Sequence, residues 1–495
     1  MTRIWIDVED LFRHAVASPR PTGIQRLSFE VQQALVERFG AGGAVRFLRY
    51  DPRRSAFAEI PWDDVAALYR GMVAVAPVLR AVQPAAAGPP PAGWLRRALG
   101  PVRVRLPLSV REPLARAVGF QKDCVRVLGR AGRLQLSSWH CLAGAVRAMF
   151  GRPGTGAEAL IVAEAPEAFG GDAATAFPPE AAAAFAAAAC PGDILLVLGS
   201  PWWQHDHAGL IARTRERYGL RFAVLVYDLI LIRHPEWFER EVITVYSSWL
   251  DAVLPQADVL LAISRSTAGD LERHAARRGI VLRGPVTPIP VGTGFAAPPD
   301  NAAPSPDLPS PGSYVLFVST IEVRKNHALL FRVWGRLLEE LPPGRVPTLV
   351  FAGRVGWLVS DLMRQMENAN WLDGHVVVIE SPSDGDLAAL YRGCLFTLFP
   401  SLYEGWGLPV TESLAFGKPC VVANATSLPE AGGTFARYFD PDNLHDAIRV
   451  IRGVLDDPAG LAAWEADIRR DYRPVPWSAS ADAVMAALVP AAATR

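Results

Sequence analysis

The stretch Leu395-Phe-Thr-Leu-Phe399-Pro-Ser-Leu-Tyr-Glu404-Gly-Trp-Gly-Leu-Pro409-Val-Thr-Glu412-Ser-Leu-Ala-Phe-Gly417 reads as strand, loop and helix in immediate succession. The apolar run Leu395–Phe399 is short and stops at a proline, which is the signature of a strand buried on both faces of a parallel sheet. Pro409 stands where a first helical turn tolerates it, and a helix is expected from about Pro409 to Phe416. Between the two, glycines flank Trp406 and deliver the chain to a helix N-terminus. Its free N–H groups and dipole suit an anion. Glu404 and Glu412 stand eight positions apart, so they need not touch the same group.

The same rhythm extends outward in both directions. Strands are expected at Tyr314–Val318, Thr348–Ala352, Val376–Ile379 and Pro419–Ala423, with helices at His327–Leu341 and Leu387–Arg392. The first of these strands runs into Ser319-Thr-Ile-Glu-Val-Arg324-Lys325-Asn-His327, which places two adjacent cations beside the same expected anion site. A diphosphate is the natural candidate, since guanidinium, ammonium and oriented amides together take its charge without a metal. The competing readings are solvated cations at 324–325 and a helix-terminal carboxylate at Glu412. Residues 301–312 are proline-rich and form the expected hinge. Upstream, Ile194–Leu198, Phe222–Val226 and Val259–Ile263 are again continuous apolar runs with polar residues at their C-terminal ends, where ligands bind in open α/β sheets. The expected fold class is therefore α/β: two doubly wound, Rossmann-like domains facing each other across a cleft. Residues 1–300 form the first, 313–475 the second, and 476–495 pack back on the first.

Near the N-terminus, strand Ile4–Val8 precedes Arg20-Pro-Thr22-Gly23-Ile-Gln-Arg26, a turn that opens a helix with Ile24, Leu27, Val31 and Leu35 on one face. Thr22 reads either as an N-cap or as part of a site for an anion or sugar hydroxyl. The chain has 50 Lys+Arg and 50 Asp+Glu in 495 residues, and this balance argues against a nucleic-acid partner. Half of the residues are hydrophobic, so most of the chain should fold. No apolar run reaches the ~20 residues of a membrane span, and the acidic start lacks the core of a signal peptide, so a cytoplasmic protein is expected. The balance hides an insertion at about 80–135: Pro84–Pro91 reads as a linker, and Arg80–Arg133 holds eleven basic residues against Glu112 and Asp123. It reads either as a peripheral contact with an anionic membrane at its inner face or as a solvated insertion. Five scattered cysteines without a Cys-x-x-Cys pair read as reduced and buried. His205 and His207 read as a solvated loop rather than a metal site.

Taken together, Ser319–His327, Phe351-Ala-Gly353-Arg354, the Glu404-x7-Glu412 motif in Glu-Gly-Trp-Gly-Leu-Pro, and Ser427-Leu-Pro-Glu-Ala-Gly-Gly433 strongly resemble the donor-binding half of family 4 glycosyltransferases, retaining enzymes of the GT-B fold. Thr22–Arg26, Tyr227-Asp228 through Glu236, and Ala262–Ser264 are similar to weaker acceptor-side motifs of that family. The resemblance spans most of the chain outside roughly 52–185.

It implies a nucleotide diphosphate sugar as donor and no cofactor or metal. Lys325 and Arg324 would hold the diphosphate, Glu404 the transferred sugar and Glu412 the ribose. Ser319, Thr320, Gly353, Arg354, Gly405, Trp406, Gly407 and Leu408 would line the donor site. On the acceptor side stand Asp228 as the group that orients a hydroxyl, with Thr22, Gly23, Arg26 and His234 around it. Ser319-Thr320 replaces the glycine and arginine many members carry there, and Tyr227 replaces a histidine. The implied reaction transfers a hexose or deoxyhexose, mannose favoured, to a glycan or lipid-linked oligosaccharide in surface polysaccharide synthesis. A small soluble acceptor and a non-catalytic nucleotide-sugar scaffold are the alternatives.

Overall fold

Two seven-stranded sheets carry the chain. In this computed structural model, residues 2–18, 20–73, 80–82, 179–294 and 305–489 are described, and all fall within one compact unit. The first sheet is built from β1 (Ile4–Asp7), β2 (Val45–Asp51), β3 (Ala56–Ile60), β5 (Ile194–Val197), β6 (Arg221–Val226), β7 (Val259–Ala262) and β8 (Val286–Pro288) in the order β3-β2-β1-β5-β6-β7-β8. Only β3 runs antiparallel, paired to β2. β1 is an interior strand, in register with Val45–Leu48 on one side and Ile194–Val197 on the other. Helices cover both faces, which is why Ile194 to Leu198 are buried without alternation.

The second sheet holds β9 (Tyr314–Val318), β10 (Thr348–Ala352), β11 (Val376–Glu380), β12 (Thr397–Phe399), β13 (Cys420–Ala423) and β14 (Ala436–Phe439), ordered β14-β13-β12-β9-β10-β11. Its core gathers Phe317, Phe351, Phe399 and Trp334, the last closed off by an indole N–H donating to Pro347 O at 2.8 Å. Burying side chains of this size contributes about 1.5–3 kcal/mol each. Both sheets are doubly wound, as the periodicity indicates, and the C-terminal ends of β6, β9, β10 and β12 all lead into the loops discussed below.

Two segments cross between the sheets. Arg80–Val82, counted in the sequence with the first domain, forms β4 at the edge of the second sheet, antiparallel to Val378–Glu380. Its pairing partner lies about 300 residues away in sequence, so no local pattern reports it. The C-terminal helix Trp477–Leu488 packs on the first sheet's side, with Ala481, Val484 and Leu488 in that core. Ser480 Oγ donates to Pro290 O at 2.7 Å and accepts from Gly292 N–H at 3.1 Å, pinning this helix to the segment that follows β8.

Other expectations need correction or fall outside the description. His207 is not in a solvated loop: it opens helix His207–Tyr218, is 1% exposed, and bonds Asp7 and Trp249. Cys394 and Cys420 are buried, but Cys190 is exposed. The insertion from residue 83 to 135, including the linker and most of the basic stretch, and hinge residues 301–304 lie outside the described residues. No described helix is long and apolar enough to cross a membrane.

Candidate functional site

The loop after β12 is held from two sides before it reaches its helix, Leu408–Ala415. Ser427 Oγ donates to Glu404 O and to Trp406 O, each at 2.9 Å, and Thr426 Oγ accepts from Glu404 N–H at 2.9 Å. The Ser427 motif therefore anchors the Glu404 loop. Gly405 leaves no room for a side chain, since a Cβ would stand 2.3 Å from Tyr227 O of the first domain. Gly407 adopts φ +116, a conformation other residues rarely take, and turns the chain into the helix.

Glu404 is 7% exposed and accepts from Lys325 Nζ at 2.6 Å through Oε1, while Arg324 Nη1 lies 2.8 Å from Oε2. Burial alone would raise this carboxyl, but Arg324 and then Lys325 outweigh it and hold it at about 2. Arg324 is further committed to Glu322 at 2.6 Å and to Tyr403 O at 2.8 Å. The two cations thus stand joined to Glu404 rather than free in solution. Burial and the neighbouring Arg324 charge lower the Lys325 ammonium from its ordinary value. Several polar atoms around this cluster are buried without a partner: Glu322 Oε2, Arg324 Nε, Tyr403 Oη and Trp406 Nε1. Groups left in this state are costly and point to a ligand that supplies the bonds.

Glu412 lies one helix turn further on, apart from Glu404, and accepts from the Tyr391 hydroxyl at 2.9 Å. Burial pushes it up to about 7, against the lowering influence of Tyr391 and Arg26. Arg26, from the first domain, ion-pairs with Asp384 at 2.7 Å. Gly23 stands beside Leu408, whose Cδ1 would lie 3.8 Å from a Cβ placed there, so the helix beginning at Gly23 faces the donor loop. Thr22 N–H donates to Gln25 Oε1 at 3.3 Å, the reciprocal contact of a helix cap.

Asp228 stands at the end of β6. Its Oδ1 accepts from Ile230 N–H at 3.0 Å, and burial raises its carboxyl although Arg324 and Lys325 pull it down. Electrostatic contact with Arg324, Glu404 and Lys325 places it with the cluster. His234 is stacked on Trp237 at 4.1 Å, bonded to Glu236 at 3.0 Å, and meets the Tyr403 ring beside Glu404 edge-on at 5.2 Å. Ser319 Oγ lies 3.3 Å from His327 Nε2, while Thr320, Gly353 and Arg354 sit at the ends of β9 and β10, with Arg354 exposed.

Sequence reading missed three features. Glu322 binds Arg324 from two positions away, a pairing visible in the sequence once the 3₁₀ turn Val323–Lys325 is known. Glu430 accepts from Arg265 N–H at 2.9 Å and Ser266 N–H at 2.8 Å across the cleft. A cavity beside Asp228 and Arg324 is walled by Trp202, Phe238, Tyr246, Trp249 and Trp357, residues too scattered to form a motif.

Comparison with known proteins gives matches over part of the chain. The chain is similar to serotype-specific mannosyltransferase WbdA of Escherichia coli, 27% identical over 241 residues, covering 46% of this chain and 29% of that one. It is 34% identical over 146 residues to O-antigen chain mannosyltransferase B of Escherichia coli, covering 29% of this chain and 37% of the relative. A D-inositol 3-phosphate glycosyltransferase of Thermobifida fusca (strain YX) is 29% identical over 191 residues, covering 36% and 43%. The chain thus spans less than half the length of each of these relatives. Residues 300–471, which contain Arg324, Lys325, Glu404 and Glu412, match the family model described as Glycosyl transferases group 1.

Proposed function

We propose that this protein is a retaining, metal-independent glycosyltransferase that moves a hexose or deoxyhexose, mannose favoured, from a nucleotide diphosphate sugar to a hydroxyl of a glycan or lipid-linked oligosaccharide. Its setting would be the cytoplasm, in synthesis of a surface polysaccharide. The observation that carries this reading is the buried Glu404 carboxylate clamped by Lys325 and Arg324 at the mouth of a helix N-terminus, inside the segment that matches group 1 glycosyl transferases. The names of the mannosyltransferase relatives support the choice of sugar.

In the reaction, the bond from the anomeric carbon to the diphosphate oxygen breaks and one to the acceptor oxygen forms. The electron pair stays with the diphosphate, and the acceptor proton passes to a diphosphate oxygen on the same face. Negative charge therefore grows where Lys325, Arg324 and the N–H groups at Leu408 point, so these groups stabilise the transition state more than the ground state. Glu404, ionised throughout the physiological range, accepts hydroxyls of the transferred sugar. Glu412 accepts the ribose hydroxyls, and Asp228 orients the acceptor hydroxyl.

A thermal-shift series with GDP-mannose, UDP-glucose and the corresponding diphosphates tests the donor, since a ligand of the folded state raises its apparent stability. No shift with any of them sinks the reading. The basic stretch 80–133 supports peripheral contact with anionic membranes. Equal sedimentation with anionic and neutral liposomes removes that part. Similarity to the D-inositol 3-phosphate glycosyltransferase favours a second reading, a small phosphorylated acceptor.

A further inference from the structure

Resting on the reading above, we infer that the acceptor is an uncharged sugar, taken up with one ring face against the aromatic cavity beside Asp228, and that phosphorylated acceptors are excluded. The cavity wall is dominated by Trp202, Phe238, Tyr246, Trp249 and Trp357. Its aromatics brace one another: Trp202 meets Tyr246 edge-on at 5.2 Å, and Phe238 lies 5.9 Å from Trp357. Their polar atoms are largely spent on the protein. Tyr246 Oη donates to Asp228 O at 2.6 Å, Trp249 Nε1 to His207 Nδ1 at 3.1 Å, and Trp357 Nε1 to Trp237 O at 2.8 Å. The wall therefore offers largely apolar aromatic surface, which suits the C–H face of a pyranose.

Among the described residues, two charged side chains line this cavity, Asp228 and Arg324. Arg324 is ion-paired with Glu322 and Glu404, and its buried Nε–H has no partner. One unfilled N–H donor and one carboxylate at the end of an aromatic wall match a hydroxyl-bearing ring, which can accept from the first and donate to the second. A phosphate dianion would meet the opposite arrangement: the Asp228 carboxylate, and a single guanidinium that the donor diphosphate already engages, so no further cation in the wall is left for a second phosphate. Specificity of this kind arises from the repulsive element as much as from the attractive one.

The test uses the full chain with the nucleotide sugar that gives the largest thermal shift. Methyl α-mannoside and methyl α-1,2-dimannoside are compared with methyl α-mannoside 6-phosphate and D-inositol 3-phosphate. The uncharged sugars should give kcat/KM at least about tenfold higher, a difference of about 1.4 kcal/mol. Trp202→Ala and Trp357→Ala should each raise the acceptor KM about tenfold with a much smaller change in donor KM, and Trp202→Phe should recover most of the loss. Equal or better use of the phosphorylated acceptors overturns the inference, as does transfer to none of the four while the donor still binds. Absence of any donor shift overturns the reading it rests on, and is told apart because that measurement contains no acceptor.

Discussion

Two carboxylates, one in each domain, are buried to a similar degree and each is held by a nitrogen base. Asp7 is 3% exposed and Glu404 is 7% exposed. Around Asp7 every bond closes within the protein: Oδ1 accepts from Glu9 N–H at 3.0 Å, Oδ2 pairs with His207 Nε2 at 2.9 Å, and Trp249 donates to the other ring nitrogen at 3.1 Å. Because the indole N–H is a donor only, His207 Nδ1 must be the acceptor there and Nε2 carries the hydrogen toward Asp7. Around Glu404, by contrast, Glu322 Oε2, Arg324 Nε, Tyr403 Oη and Trp406 Nε1 are buried and unfilled. Burial of charge is common to both clusters. Completeness separates a strut from a site, since an unfilled buried polar group costs about 1–3 kcal/mol unless a ligand fills it.

The sharpest way to break this comparison is to neutralise each carboxylate at constant shape. Glu404→Gln should lower kcat/KM for the donor by about 10²–10³-fold, the scale of losing one preorganised electrostatic contact. Asp7→Asn should leave turnover per folded molecule within about twofold, because Asp7 lies outside the Glu404 cluster and reaches the aromatic cavity only at second hand, through His207 and the indole N–H of Trp249. Initial rates, normalised to the folded fraction, decide the matter. Equal losses in both variants would show that completeness does not mark the site.

Glu412 supplies the next largest effect, read through pH. Burial holds its carboxyl at about 7 in the folded protein, against an ordinary 4.5. The folded state therefore binds this proton more tightly than the unfolded chain does, and stability is lost as pH rises from about 4.5 through about 7. The gap between the two values corresponds to about 3 kcal/mol. Glu412→Gln should gain up to about that much stability at pH 8 and almost nothing at pH 4, as read by urea denaturation at the two pH values. If ribose hydroxyls donate to this carboxylate, nucleoside diphosphate binding near pH 6.5 should release a proton in the native protein and none in the variant. A gain independent of pH would assign Glu412 to packing.

What the sequence disclosed divides along the same line. Strand β12, the Glu404 loop and the helix at Leu408 are contiguous, so their pattern is local and readable, and the cations at 324–325 follow directly from β9. The expected helix begins one residue late and the expected strand two residues early: half-buried Leu395 and buried Phe396 precede Thr397–Phe399, although each already exchanges a backbone hydrogen bond with β9. Unreadable were the contacts that join distant segments: β4 at the edge of the second sheet, Arg26 with Asp384, and the aromatic wall drawn from residues 202 to 357. His207 was misread for the same reason, because its partners Asp7 and Trp249 lie on β1 and on the helix Arg240–Val253.

A smaller effect is expected at Asp7 itself. Although Asp7→Asn keeps turnover, it replaces a charge-assisted acceptor in a closed network, and about 1–3 kcal/mol of stability should disappear. A lower urea midpoint with unchanged slope records this. No change in midpoint would mean that the Asp7 network contributes nothing net to stability, and the comparison with Glu404 would lose its structural arm.

Glu430 tests whether completeness, rather than position in the cleft, is the distinguishing property. It lies in the helix Leu428–Gly432 of the second domain and reaches helix Arg265–Arg278 of the first, accepting N–H bonds from Arg265 and Ser266 at that helix's N-terminus. The favourable field there adds to these bonds. Both carboxylate oxygens are thus occupied by protein, although the group spans the same cleft as Glu404. Its role should be that of a strap between the domains. Glu430→Gln keeps one carbonyl acceptor and removes the charge, so about 1 kcal/mol of stability is expected to be lost, the usual scale for a helix-terminal acceptor. Donor KM should move less than about twofold, because no ligand bond depends on it. A donor KM raised tenfold or more with stability unchanged would mean that a filled carboxylate in the cleft can still serve the substrate, and the distinction between the two kinds of buried charge would have to be drawn from access to the cleft instead.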